Sequence, residues 1–203
     1  MKYSILILLL IGLVHSCNES DDEFNPTLPL ITQTGANTFG CYVDGVLVTP
    51  RNGATSSLGH PTPGMIMSSG PQTQEIPYHE LRIRDSKSGT GAILNIHFIN
   101  LDENGEGVFT INESNCYSNV YSPVNLNIFC RIFDNDTQAF KWYCSIENSG
   151  ELLITRYDKN EGIFSGTFSC KAINRDNPDE IIEITQGRFD INWKLLNNFS
   201  DFP

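Results

Sequence analysis

From residue 36 onward, apolar and polar side chains alternate in short runs punctuated by Gly, Asn, Asp and Pro. No window of about 11 residues carries the i, i+3, i+4, i+7 spacing of an amphipathic helix, so the pattern predicts an all-β domain. Residues 38–43 and 46–49 read as a hairpin around Asp44-Gly45, a dipeptide that accepts the positive φ angles of a tight turn. Residues 50–77 are rich in Gly, Pro, Ser and Thr, hold at most a short strand at Met65-Ile66-Met67, and read as the long loop of the fold. Residues 79–85 and 92–101 form a second hairpin. If His79, Leu81 and Ile83 oppose Leu94, Ile96 and Phe98, parity places Glu80, Arg82, Arg84, Ile93, Asn95 and His97 on the other, outward face. Beyond a turn at 102–107 come a strand at 108–112 and an irregular stretch around Cys116-Tyr117 and Tyr121-Ser122-Pro123. Residues 124–133 pair with 140–146, and 151–157 with 163–173. Residues 181–184 lead through Gln186-Gly187 into 188–195, and the chain after Leu196 is expected to fray. About ten strands in neighbouring hairpins fit an antiparallel β-sandwich or a flattened barrel, two closures that the pattern does not separate.

The chain start follows other rules. Met1-Lys2-Tyr3 supplies a positive charge, and the apolar run 5–14 is about half of what a helix needs to cross a bilayer, so it reads as a signal peptide. The run ends in Val14-His15-Ser16-Cys17, which resembles the lipobox of bacterial lipoproteins, with His15 off the usual pattern. That resemblance implies removal of residues 1–16 and an N-terminal diacylglycerol on Cys17 that holds the protein in membrane lipid. Ser20-Asp21-Asp22-Glu23 looks like the export signal of Bacteroidota-type surface lipoproteins, which implies an outer-membrane, lipid-anchored, surface-exposed protein. The other reading of these charges is a solvated acidic tether. Residues 17–35 form the acidic, extended tether and 36–203 a single all-β domain. With 13 Lys and Arg against 24 Asp and Glu, the formal charge is −11, which argues against nucleic-acid binding and against adhesion to anionic lipid by charge.

Two motifs carry a family resemblance. Leu28-Pro29 with Thr32-Gln33, followed by Asn37-Thr38-Phe39-Gly40-Cys41-Tyr42-Val43-Asp44-Gly45, is similar to the opening of a family of uncharacterised Bacteroidota lipoproteins. Gly166-Thr167-Phe168 and Ile184-Thr185-Gln186-Gly187-Arg188-Phe189-Asp190 match its closing segment, with Cys170 where an aromatic is usual. The resemblance implies address and architecture, and no chemistry.

Candidate chemistry is sparse. Residues 102–113 approach an EF-hand loop, with Asp102, Asn104, Gly107 and Glu113 at positions one, three, six and twelve. The flanking segments read as strands rather than helices, and Asn104-Gly105 equally suits a hairpin turn. Cys130 and Cys144 oppose each other if Ile132 opposes Trp142, so they form a possible disulfide or else remain buried free thiols, while Cys41 and Cys170 alternate with core residues. No spacing points to zinc, and no metal or cofactor is expected. Glu80 and His97 are the one acid/imidazole pair that strand parity brings together, read as an exposed cross-strand contact; no catalytic residue is assigned. The reading that follows is a surface-anchored, non-catalytic module that binds an extracellular ligand or envelope protein, with a hydrolase or glycan-processing accessory as the rival. Its expected contact surface is the long loop, with Arg51, His60, Met65 and Met67.

Overall fold

The computed structural model describes residues 26–54, 61–71, 75–86, 91–196, 200 and 202–203. Cys17, Ser20, Asp21, Asp22, Glu23 and His60 lie outside the described residues. The alternating runs become ten antiparallel strands: β1 (Thr38–Val43), β2 (Val46–Val48), β3 (Met65–Ser69), β4 (Tyr78–Asp85), β5 (Ala92–Ile99), β6 (Gly107–Ile111), β7 (Asn127–Asp134), β8 (Ala139–Asp158), β9 (Ile163–Asn174) and β10 (Asn177–Asn192). They form one sheet in the order β2-β1-β10-β9-β8-β7-β5-β4-β3, with β6 on β8, and the sheet curls into a half-barrel. The all-β reading therefore holds, and the closure is a half-barrel rather than two stacked sheets.

Alternate side chains of every long strand fill the inside of the curl. Leu81, Ile83, Leu94, Ile96, Ile128, Phe164 and Ile184 are fully buried there, each burial worth about 1.5–3 kcal/mol against exposure. Phe98 of β5 meets Phe164 of β9 edge to face at 5.1 Å, so the two arms of the curl touch across the core. The β4/β5 register follows side-chain parity, with His79 opposite Phe98, Leu81 opposite Ile96 and Ile83 opposite Leu94.

Two pairs of expected strands are each one continuous strand. β8 runs through Asn148 and Gly150, and β10 through Gln186 and Gly187, with register shifts against β9 at both places. Asn148 (φ 54°) and Gln186 (φ 52°) make these bulges, which bend a strand without ending it. A Cβ on Gly187 would sit 2.5 Å from the Phe168 ring, so the bulge needs glycine there.

The outer face of the sheet is covered in two places. Residues 28–36 lie over β1, β9 and β10, where Asp190 gathers them: its carboxylate accepts from the Thr32 and Thr34 hydroxyls (2.6 and 3.2 Å), from the N–H groups of Thr34, Gly35 and Ala36 (3.0, 2.8 and 3.2 Å) and from the Ser165 hydroxyl (2.7 Å). The opening and closing sequence motifs thus meet in space. Gly40 lies under the same cover, and a Cβ there would be 2.5 Å from Pro29. Residues 112–126 cover β4, β5 and β7, as described below.

The segment read as a contact loop is largely built into the fold. Arg51 is buried and forms a bidentate pair with the buried carboxylate of Asp85 at the end of β4, one arm of it from Nη2 at 2.8 Å. Met65 lies on β3 in the core and Met67 packs partly against it. Asn52 accepts the Gly64 N–H (2.7 Å) and donates to the Ser200 carbonyl (2.9 Å). Its own N–H reaches the carbonyl of Phe202, whose ring is buried in the core instead of fraying. Arg51 and Met65 are therefore corrected from contact residues to structural ones, whereas Met67 stays half-buried with part of its side chain exposed; polar composition hid a buried ion pair.

Candidate functional site

The irregular stretch at 113–126 exposes several large apolar side chains while being held in a fixed shape. It leaves β6 at Asn112, whose carbonyl accepts from the Ser145 hydroxyl (2.6 Å), and returns where the Asn112 N–H meets the Leu126 carbonyl (2.9 Å). Between these ends Asn side chains stand in for backbone partners. Asn115 accepts the Tyr117 N–H (2.9 Å) and donates to the Tyr121 carbonyl (2.7 Å), and Asn125 donates to the Glu113 carbonyl (3.1 Å). Asn127 donates to the Ser122 hydroxyl at 3.0 Å.

A disulfide between Cys116 and Cys144 staples the stretch to β8. The possible Cys130–Cys144 bond is thus corrected, and Cys130 is the free buried thiol of the alternative reading. The β7/β8 register puts Arg131, not Ile132, opposite Trp142, so Phe129 faces Cys144 and Cys130 faces Tyr143. A one-residue slip moves a side chain to the other face of a sheet. Cys144 consequently sits on the outer face with Cys116, Phe129 and Trp142, whereas Cys130 points into the core with Cys41 and Cys170 as unbonded thiols. Burial pushes all three thiols up, Cys170 to about 12, which removes thiolate chemistry at neutral pH.

The second fastening is Glu80. Strand parity does bring it to His97, but the pair is buried, not exposed, because 113–126 covers it. One Glu80 oxygen lies 3.2 Å from His97 Nδ1 and accepts the Asn119 N–H at 2.6 Å, while Arg82 stands 3.5 Å from the other. Burial drives the Glu80 carboxyl upward, and the hydrogen bonds from His97 and Asn119 with the nearby His97 and Arg82 charges outweigh it, so the net shift is downward. Tyr78 stacks on the His97 ring at 4.9 Å. A carboxylate committed in this way holds a loop in place.

Held at both points, the loop turns Tyr117, Tyr121 and Val124 outward at 60%, 75% and 63% exposure, with Val120 between them. Cys116 (φ 61°) and Asn119 (φ 58°) adopt left-handed backbone, strain on the order of 1–3 kcal/mol each that persists only where surroundings impose it. Beside the loop a hollow of about 260 Å³ is lined by Ile76, Tyr78, Ile99, Val120 and Val124 together with the polar residues Glu75, His97, Asn119 and Ser122. Residues 114–130 carry no Asp, Glu, Lys or Arg, in a chain of net charge −11. Sequence reasoning recorded this stretch as irregular and passed over its Tyr, Asn and Ser content, which was the available signal.

Asp102 belongs to none of this. It lies on α1 (Leu101–Asn104), one helical turn entered through left-handed Asn100, and β5 does not pair with β6, so 102–107 is neither an EF-hand nor a hairpin turn. Asp102 accepts from the Tyr157 hydroxyl and from Lys159 at 2.9 Å, and Glu106 accepts the Tyr157 N–H. Among the described residues no cluster of three His, Cys, Asp or Glu could hold a metal ion.

No family model, no curated protein and no solved structure matches the chain.

Proposed function

We propose that the chain is a lipid-anchored envelope protein that binds another protein through the stapled loop 113–126 and catalyses no reaction. The observation that carries this reading is the exposure of Tyr117, Val120, Tyr121 and Val124 on a loop fixed by the Cys116–Cys144 bond and by Glu80. Tyrosines supply large contact area at small conformational cost, Asn and Ser adapt their hydrogen bonds, and a loop ordered before contact loses little entropy on binding. The absence of charge from 114–130 matches an interface core, which desolvates apolar and aromatic groups. The partner accordingly presents a largely uncharged patch, with a side chain for the hollow beside Val120 and Val124 that combines apolar surface with a hydrogen-bonding group for its polar rim. The address rests on Cys17 for lipid attachment through diacylglycerol and on Ser20, Asp21, Asp22 and Glu23 for export to the cell surface, together with the likeness to surface lipoproteins.

The double variant Tyr117→Ala, Tyr121→Ala tests it. A central interface tyrosine is worth about 1 kcal/mol or more, so losing two should lower affinity for the partner by more than about tenfold. The readout is the yield of a defined cross-linked complex, recovered with the tagged full-length protein from intact cells, measured beside the melting temperature. A lowered yield at unchanged stability supports the reading, and an unchanged yield removes it.

A further inference from the structure

The geometry points to a second binding site, for a neutral saccharide, in the cleft at the open end of the half-barrel, on the core side of the sheet and away from loop 113–126. There the end of β3, the start of β4, α1, the end of β8 and the segment after β10 enclose about 320 Å³, a volume at the lower end for small-molecule sites. One wall is aromatic: Tyr157 and Trp193 stack with ring centroids 5.7 Å apart and planes inclined by 28°. Met67 adds a second apolar surface, and the polar groups come from His79, Asp102, Lys159 and Ser69.

Each part suits a sugar ring. The apolar C–H face of a pyranose packs on an aromatic surface, and its hydroxyls need donors and acceptors around the rim. An ionised carboxylate has about four acceptor positions, and Asp102 gives one to the Tyr157 hydroxyl and one to Lys159, leaving others for ligand hydroxyls. Lys159 has three donor hydrogens and keeps some beyond its contact with Asp102. His79 Nδ1 is buried without a hydrogen-bond partner, although the ring lines the cleft. Burial and the nearby Lys159 charge lower the basicity of His79 against the opposing pull of Asp102, which favours the neutral ring, able to serve a hydroxyl as donor or acceptor.

Charge selects the ligand class. Asp102 and Lys159 neutralise each other, so the cleft offers neither an unpaired cation for an acidic ligand nor an unpaired anion for a basic one, and the net charge of −11 further disfavours anions. Hydrolysis is not supported by the same residues. No side-chain hydrogen bond joins His79 to Ser69 or to Asp102, so no base is aligned on a nucleophile.

The test uses the chain's own reporter. It has two tryptophans, and Trp142→Phe leaves Trp193 as the single one. The full chain with this change is titrated with α- and β-linked glucose hexasaccharides, chitohexaose, mannohexaose and xylohexaose, and with hexagalacturonate as the acidic comparison, while Trp193 emission is followed. The expected result is a saturable change with at least one neutral sugar in about the millimolar range or tighter. Asp102→Ala should weaken it at least tenfold, as should Lys159→Met, whose exposed side chain can be replaced without disturbing the core. Tyr117→Ala with Tyr121→Ala should leave it unchanged. No response to any neutral sugar, equal responses in the Asp102 and Lys159 variants, or tighter binding of hexagalacturonate would each overturn the assignment.

Discussion

Asp190→Ala is expected to lower the unfolding free energy by about 3–5 kcal/mol, because it strips a buried carboxylate from donors on both sides of a packed layer. Ser165 would lose its acceptor inside the sheet, and the N–H groups of Thr34, Gly35 and Ala36 would lose the group that fixes their turn. Chemical denaturation at pH 7 reads the loss, and limited proteolysis should show residues 28–36 released first. The same carboxylate predicts a pH effect. Burial alone would raise it, but the hydrogen bonds from Thr32, Ser165, Thr34 and Gly35 hold it at about 2 against an ordinary 3.8. A depressed carboxylate stabilises the fold in full above its unfolded pKa and ceases to do so as pH falls through its folded value. About 2 kcal/mol should therefore vanish between about pH 4 and pH 2 in the wild type, and that increment should be missing from Asp190→Asn.

Replacing Cys116 and Cys144 together by Ser should cost roughly 3–4 kcal/mol from the entropy of the unfolded chain, given their separation of 28 residues. For a chain of this size that corresponds to a fall of about 10 °C in melting temperature. The β signature in circular dichroism should survive, since 58% of the described residues are strand and none of the core strands depends on the bond. Amide exchange should accelerate at 114–124, because the left-handed residues Cys116 and Asn119 lose one of their two fastenings. A melting temperature within about 2 °C of wild type would show that the staple carries no stability.

What was legible in the sequence follows from how local each signal is. β4 and β5 alternate cleanly over a short connection, so parity alone brought Glu80 to His97. Parity could not say that another segment covers the pair, because that contact joins residues 39 apart. Across β7 and β8 the register hung on the length of the turn at 134–138, and a slip of one residue set Cys144 against Phe129 on the outer face and left Cys130 among Leu126 and Ile128 in the core, opposite Tyr143. Asn148 with Gly150, and Gln186 with Gly187, use the residues of a turn to make a bulge, so two long strands read as four. Arg51 and Asn52 looked like loop polarity because their partners, Asp85, Gly64 and Ser200, are distant or ordinary backbone groups. The mouth cleft could not be read at all, since it combines His79, Asp102, Tyr157 and Trp193 from elements that only the curl brings together.

The claim that loop 113–126 recognises a protein is tested most directly by position-resolved photo-crosslinking on intact cells. A benzophenone amino acid replaces Tyr121 on the loop or, in a separate strain, exposed Val46 on the edge strand β2, which β1, β10 and β9 separate from β8. Illumination should give one discrete adduct from position 121 and none from position 46, and the Cys116→Ser, Cys144→Ser background should abolish it. Adducts of equal yield from both positions, or none from 121, would contradict the account.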